Sequence, residues 1–293
     1  MPSSHPDSNL HPTATGPAAH IVAAHQSPEP LKLYSGWFCP FVQRVWAILE
    51  EKKIPYQYIE VNPYDKPASL LALNPRGLVP TLEAPNGKPL YESNVICEFL
   101  EDAYPGHGMR LLPEDAYERA RCRIWMDFCG KRVVPAFHRF LQWQPSAPAA
   151  GDDMSGLATV REEFLKTLKE FAAEMLATTN DAGSDVSANT TGPFFLGANP
   201  SLVDFVIAPW IVRLWVFETF KEGGLGIPEA GEGGADEALW ARLRSWKDAV
   251  ESRPSIRDTL SESEHYLPIY KRYADDTAMS EMAKASRAGR GVP

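Results

Sequence analysis

Between residues 31 and 104 the apolar positions change period several times. "LKLYS" (31–35) alternates as a strand does, and "PFVQRVWAILEEKK" (40–53) places Val42, Val45, Trp46 and Leu49 on one face of a helix. "PYQYIEV" predicts a second strand, and "ASLLALNP" a short helix closed at Asn74-Pro75. "VPTLEA" and "KPLYES" predict two strands joined by the turn "PNGK", and "SNVICEFLEDAY" a last helix. The order βαβαββα calls for a parallel crossover followed by an antiparallel hairpin, hence a mixed four-stranded sheet covered by helices. That is a thioredoxin-like arrangement, expected over residues 31–106.

After the link "PGHGMRLLPED" only the helical period remains, over 115–142, 154–177, 201–221 and 236–252. An all-helical second domain is therefore expected over 112–273. The polar or Gly-rich stretches 178–192 and 222–237 read as mobile loops, and Asn189-Thr190-Thr191 as a chance sequon. Pro209 predicts a break in its helix, and Ser201 with Asp204 forms an S-x-x-D cap before an apolar run.

Composition adds limits. The first 30 residues, rich in Pro, Ala, Ser and His, predict a disordered arm, and residues 274–293 a flexible tail. The arm contains no Lys or Arg, so no secretory or transit leader is expected. A net charge of −9 with 29 scattered Lys and Arg residues argues against nucleic acid. The longest apolar run, "FVIAPWIV", is far short of the ~20 residues of a membrane span. The four cysteines, Cys39, Cys97, Cys122 and Cys129, lack zinc-ligand spacing, so no metal is expected. Reduced thiols in the cytoplasm are the expectation.

Cys39 has a setting the other three lack. It follows the first strand and opens the first helix, with Pro40 suited to the first helical position, so its sulfur meets unpaired N–H groups at the positive end of the helix dipole. Such a position favours a thiolate, the nucleophilic form. Cys97, Cys122 and Cys129 read as buried packing. Val42 stands where a dithiol oxidoreductase would carry its resolving cysteine. An outside thiol must therefore release any mixed disulfide on Cys39, and glutathione is the obvious candidate.

"CPFVQR", "DKPASLLALNPRGLVPTLE", "YESNVICEFLED" and "SLVDFVIAPWIVRL", in this order, resemble the omega-class glutathione transferases over roughly residues 31–270. The resemblance implies the two-domain transferase fold, glutathione as co-substrate and a homodimer. It also implies a site. Glu92 would take the amine of the γ-glutamyl unit, and Ser93, at a helix start, its carboxylate; locally the pair serves equally well as a helix cap. The Val79-Pro80 bond would be cis and its backbone would pair with the cysteinyl unit. Lys66 would approach the glycine carboxylate, or else be a solvated lysine, and Phe41 would line the site, or else be core. Trp210 matches an acceptor-pocket tryptophan and reads as well as core; Trp125, Phe128 and Arg132, spaced to share a helix face, are candidates for another pocket wall.

The expected activity is glutathione-dependent thiol transfer: deglutathionylation, reduction of small disulfides, or reduction of dehydroascorbate. One alternative is conjugation of glutathione to small electrophiles, with Tyr34 or Ser35 as the activating hydroxyl. Another is a non-enzymatic scaffold or a membrane-inserting relative, since the chloride intracellular channel proteins are similar around "CPF". The charged run "EEKK" at 50–53 weighs against insertion.

Overall fold

The computed structural model describes residues 5–145, 155–180 and 192–292. The chain divides into two compact units, Met1–Glu114 with Ser252–Ile269, and Asp115–Glu251 with Tyr270–Pro293.

In the first unit the four predicted strands form as β1 (Lys32–Ser35), β2 (Gln57–Glu60), β3 (Thr81–Glu83) and β4 (Pro89–Tyr91). The sheet order is β2-β1-β3-β4, with β1 parallel to β2 and both β3 pairings antiparallel. Leu33 faces Leu82 across β1 and β3, and Leu82 faces Leu90 across β3 and β4, so one apolar row crosses three strands. The helices of this unit are α1 (Gly16–Ala24), α2 (Pro40–Lys52), α3 (Ala68–Leu73) and α4 (Ser93–Ala103).

Val42 to Leu49 of α2 are all buried, so this helix hides far more than the single stripe that its apolar spacing predicts. Its polar residues find fixed partners. Lys52 and Glu101 of α4 form an ion pair at 2.8 Å, both shut off from solvent. The other Glu101 oxygen accepts the N–H groups of Leu111 (2.9 Å) and Leu112 (3.3 Å), which ties down the link that follows α4. A buried pair of this kind is tolerable because its remaining hydrogen-bond positions are filled.

The first unit is wider than the expected 31–106. Gln43 donates to the Ile256 carbonyl (3.2 Å) and the Thr259 hydroxyl (3.1 Å), while Arg253 and Ser255 bind Glu51. These buried partners draw residues 252–269 into it, including α11 (Pro254–Arg257). Burial alone would raise the Glu51 pKa, but the Arg253 and Ser255 hydrogen bonds overcome it and hold the carboxyl below its ordinary value.

The arm also departs from expectation. Residues 5–30 carry a 3-10 turn at Pro6–Ser8 and helix α1, with Asp7, Ala14 and Ala18 buried. The Trp37 indole donates to the His11 carbonyl (2.9 Å), Asn62 to the Ser8 carbonyl (3.0 Å), and the Thr15 N–H to Ser261 (3.1 Å). The composition that reads as disorder is also that of an Ala-rich helix, and distant partners decide between the two.

The second unit contains α5 (Ala116–Phe128), a π-helical turn at Cys129–Val133, α6 (Val134–Gln142), α7 (Ser155–Asn180), α8 (Leu202–Ile211), α9 (Trp215–Phe220) and α10 (Glu237–Ser252). Helix α12 (Ser263–Ala274) and α13 (Glu281–Arg287) follow. The expected flexible tail is thus helical. Met282, Ala283 and Ala285 are buried, and Ser280 caps α13 by accepting the Ala283 N–H at 3.0 Å. The loop 222–237 is likewise held: Arg161 donates to the Gly224 carbonyl (3.0 Å), and Glu237 accepts the N–H groups of Gly231 and Gly233. In the other expected loop Asn180 still belongs to α7, and the sequon at Asn189 lies outside the described residues.

Helix α8 passes through Pro209 without a break and ends at Ile211. Every residue from Leu202 to Ile211 is buried, and Arg213 donates back to the Pro209 carbonyl (2.6 Å), so packing outweighs the one backbone bond that proline forgoes. The predicted cap is present. Asp204 accepts the Ser201 N–H (2.6 Å), the Phe195 N–H (2.9 Å) and the Trp246 indole N–H (2.7 Å).

Candidate active site around Cys39

Cys39 is the N-cap of α2 and the only one of the four cysteines that is not buried. Its N–H donates to the Gly36 carbonyl (2.9 Å), closing a tight turn out of β1, and its sulfur lies 3.9 Å from the Val79 carbonyl oxygen. The Val79-Pro80 bond is cis. Cys39 and Val79, 40 residues apart in sequence, therefore meet. Burial pushes the thiols of Cys97 and Cys122 up to about 12, which keeps both protonated at neutral pH. Cys129 is fully buried with its sulfur toward the Val206 carbonyl (3.5 Å).

A second group forms where α2 meets the start of α4. Ser93 is the first residue of α4 and mostly buried, and Glu92 before it has φ of 71°, a strained backbone for a residue with a side chain. Such outliers cluster at ligand sites. Arg44, only 3 % exposed, donates through Nη1 to the Ser93 hydroxyl (3.0 Å) and the Asn94 side-chain oxygen (3.1 Å). Its guanidinium carbon also lies 5.2 Å from the centre of the Phe41 ring. Phe41 and Ser93 thus flank one cation.

Glu92 pairs with Arg76 at 2.8 Å, and the Lys66 ammonium donates to the Arg76 carbonyl at 2.8 Å. Both contacts are exposed, so Glu92 and Lys66 can exchange them for a ligand at little cost. Arg44, Asn94 and Arg76 escaped the sequence reading. The available signal was Arg44 in a helix otherwise dominated by apolar residues, where a charge must find a buried partner.

In the second unit Trp125, Phe128 and Arg132 do come together. The Trp125 and Phe128 rings are 4.7 Å apart, and Arg132 sits 5.7 Å from the Phe128 ring centre while pairing with Glu170 (3.1 Å). Trp125 also touches Phe171 and Phe195. Arg132 lies inside the π-helical turn, a feature frequent at functional sites. Trp210 is different. It is 1 % exposed within a wholly buried helix, which places it in the core of this unit and not at an open wall.

The hydroxyls considered for conjugation are poorly placed. Ser35 is fully buried. Tyr34 donates to Glu83 (3.4 Å), and burial together with that carboxylate raises its pKa, the opposite of what activating a thiol requires. Among the described residues no helix is long and apolar enough to cross a membrane.

Known proteins are similar to this chain over both of its parts. Residues 38–103 match the family model "Glutathione S-transferase, N-terminal domain", and residues 114–249 match "Glutathione S-transferase, C-terminal domain". The chain is 37% identical over 193 residues to glutathione S-transferase omega-1 of Sus scrofa, spanning 65% of this chain and 70% of the relative. It is 33% identical over 228 residues to glutathione S-transferase omega-2 of Homo sapiens, spanning 76% and 80% of the two chains. The crystal structure of glutathione transferase Omega 3C from Trametes versicolor superposes with a TM-score of 0.73 at 40% identity, covering 92% of this chain and 100% of the other.

Proposed function

We propose that this chain, which belongs to the omega class of the glutathione S-transferases, is a glutathione-dependent thiol transferase whose nucleophile is Cys39. The observation that carries this is the half-buried Cys39 sulfur at the start of α2, facing the Val79 carbonyl, in a chain whose other three cysteines are buried. The helix N-terminus favours the thiolate.

That thiolate attacks the glutathione sulfur of a mixed disulfide R–S–S–G. A new S–S bond forms between Cys39 and the glutathione sulfur as the RS–SG disulfide bond breaks, and the bonding pair leaves on RS⁻, which takes a proton from solvent. A second glutathione thiolate then attacks the glutathione sulfur held on Cys39. Oxidised glutathione leaves, and the Cys39 thiolate returns.

During these steps Glu92 takes the γ-glutamyl amine, Ser93 at the start of α4 takes its carboxylate, and the Val79 backbone pairs with the cysteinyl unit. Lys66 serves the glycine carboxylate and Phe41 lines the sulfur's surroundings. Trp125, Phe128 and Arg132 form an aromatic, cationic wall for an acceptor that is small and apolar or carries a disulfide. Conjugation is the weaker reading, because neither Tyr34 nor Ser35 is disposed to activate glutathione. The chemistry belongs in a reducing compartment, the cytoplasm, where Cys39 stays reduced.

The chain also pairs with a second copy. Tyr91 at the end of β4 and Val95 near the start of α4, 44% and 54% exposed, are large apolar residues left open in the first unit, which supports this pairing. Sedimentation equilibrium checks this, and Val95→Glu should yield monomers.

The functional test is reduction of a small glutathione mixed disulfide, followed by NADPH consumption through glutathione reductase, for the wild type and Cys39→Ser, with conjugation to an aromatic chloride run alongside. Reduction that vanishes in Cys39→Ser supports the mechanism. Absent reduction, or reduction that survives the substitution, overturns it.

A further inference from the structure

We infer that Arg44 is a positioning residue for glutathione, one that turns the Ser93 hydroxyl into a dedicated donor to the γ-glutamyl carboxylate. The inference rests on the glutathione site proposed above and adds a residue to it.

The argument starts from what a serine hydroxyl offers: one proton and two acceptor sites. Arg44 Nη1 fills one acceptor site of Ser93 at 3.0 Å. A guanidinium has only protons to give, so the Ser93 proton cannot point back at it and must be directed elsewhere. Because Ser93 is the first residue of α4, the space its proton turns toward is also served by the unpaired N–H groups of that helix start.

The electrostatics carry the point further. A cation at a helix N-terminus opposes the helix dipole, and Arg44 is 3 % exposed, so water screens this poorly. The same arrangement becomes favourable once a carboxylate arrives, since cation, hydroxyl proton and helix dipole then act on one anion. The second contact, to the Asn94 side-chain oxygen at 3.1 Å, fixes the guanidinium against the first turn of α4. The Phe41 ring, 5.2 Å away, covers it from the α2 side. Both bonds come from the one Nη1 nitrogen, so a lysine would keep the charge and the donors but has a shorter stem with which to reach Ser93 and Asn94.

The test measures binding by calorimetry on the full chain with three thiol-blocked probes: S-methylglutathione, its analogue lacking the γ-glutamyl carboxylate (S-methyl 4-aminobutyryl-cysteinyl-glycine), and its analogue lacking the amine (S-methyl glutaryl-cysteinyl-glycine). The wild type should prefer S-methylglutathione over the decarboxylated probe by about 10- to 100-fold, the range for a hydrogen bond to a charged group. In Arg44→Gln and Arg44→Met this preference should shrink to within about threefold, with the loss confined to the probes that carry the carboxylate. Arg44→Lys should fall between.

Ser93→Ala provides the check that Arg44 acts through the hydroxyl. In that background Arg44→Gln should change the carboxylate preference by much less than it does alone. It also serves if Arg44→Met proves too unstable to titrate. An Arg44 that merely supports the fold would weaken all three probes by one common factor, and that result overturns the inference. So does an undiminished preference in Arg44→Gln. A wild type that binds S-methylglutathione no better than the decarboxylated probe, or does not bind it, instead overturns the glutathione site itself and the inference with it.

Discussion

Glu60 holds Trp37. One carboxylate oxygen of Glu60 accepts the backbone N–H of Trp37 at 3.2 Å, and the other accepts the Tyr58 hydroxyl at 3.2 Å. The end of β2 is thereby tied to the turn that delivers Cys39 to the start of α2.

This contact predicts a pH effect. Burial pushes the Glu60 pKa from its ordinary 4.5 up to about 7, against the opposing hydrogen bonds from Trp37 and Tyr58. Between those values the folded chain keeps the proton while the unfolded chain releases it. The unfolded state then binds fewer protons, so the contribution of Glu60 to stability is complete below the lower value and is lost as pH rises through about 7. Glu60→Gln, uncharged throughout, should match the wild type near pH 4 in urea unfolding and surpass it at pH 8. Parallel stability profiles for the two proteins would show that Glu60 is not the group responsible.

A thiol count follows from the burial of the cysteines. Native protein treated briefly with iodoacetamide at neutral pH should take up one adduct, on Cys39, and Cys39→Ser none. Cys97 and Cys122, held protonated by burial, and the buried Cys129 should react only after unfolding. Peptide mass spectrometry reads this directly, and early labelling of any second cysteine would contradict the burial described.

The pair Lys52–Glu101 should behave as a unit. Glu101→Leu strands a buried ammonium and leaves the N–H groups of Leu111 and Leu112 without their acceptor, a loss of about 3 to 5 kcal/mol. Lys52→Met combined with Glu101→Leu removes both charges and should cost clearly less than the sum of the single changes. Urea unfolding of the four proteins closes the cycle, and additive losses would argue against coupling.

In the second unit, Asp204→Ala should lower stability by about 3 kcal/mol, combining a lost helix cap with the unsatisfied Phe195 and Trp246 donors. Asp204→Asn retains one acceptor oxygen and should recover part of that loss. Thermal melts distinguish the two, and equal melting temperatures for Ala and Asn would assign the effect to packing instead.

Much of this molecule is legible in its sequence because the relevant forces are local. Each strand and helix of the βαβαββα run carries its own period and stop residues, and Cys39 announces itself by standing between a strand and a helix-starting proline. Other features depend on partners far along the chain. The segment leading into α1 is held by Trp37, Asn62 and Ser261, which bind His11, Ser8 and Thr15, and none of these partners is revealed by its own composition. Arg44 gains a role only when Ser93, 49 residues further on, is placed beside it. Pro209 reads as a breaker until the packing around α8 is known, and Trp210 reads equally as core or pocket until its burial is seen.

The membership of Ser252–Ile269 in the first unit bears on how the chain is made. Gln43 leaves the ribosome 213 residues ahead of Ile256, whose carbonyl it binds. Glu51 waits almost as long for Arg253. The half that carries Cys39 therefore cannot finish folding as a nascent fragment, and its last polar contacts close only after nearly all of the helical half has been translated. The helical half in turn waits for Tyr270–Pro293, so each unit needs residues made after most of the other.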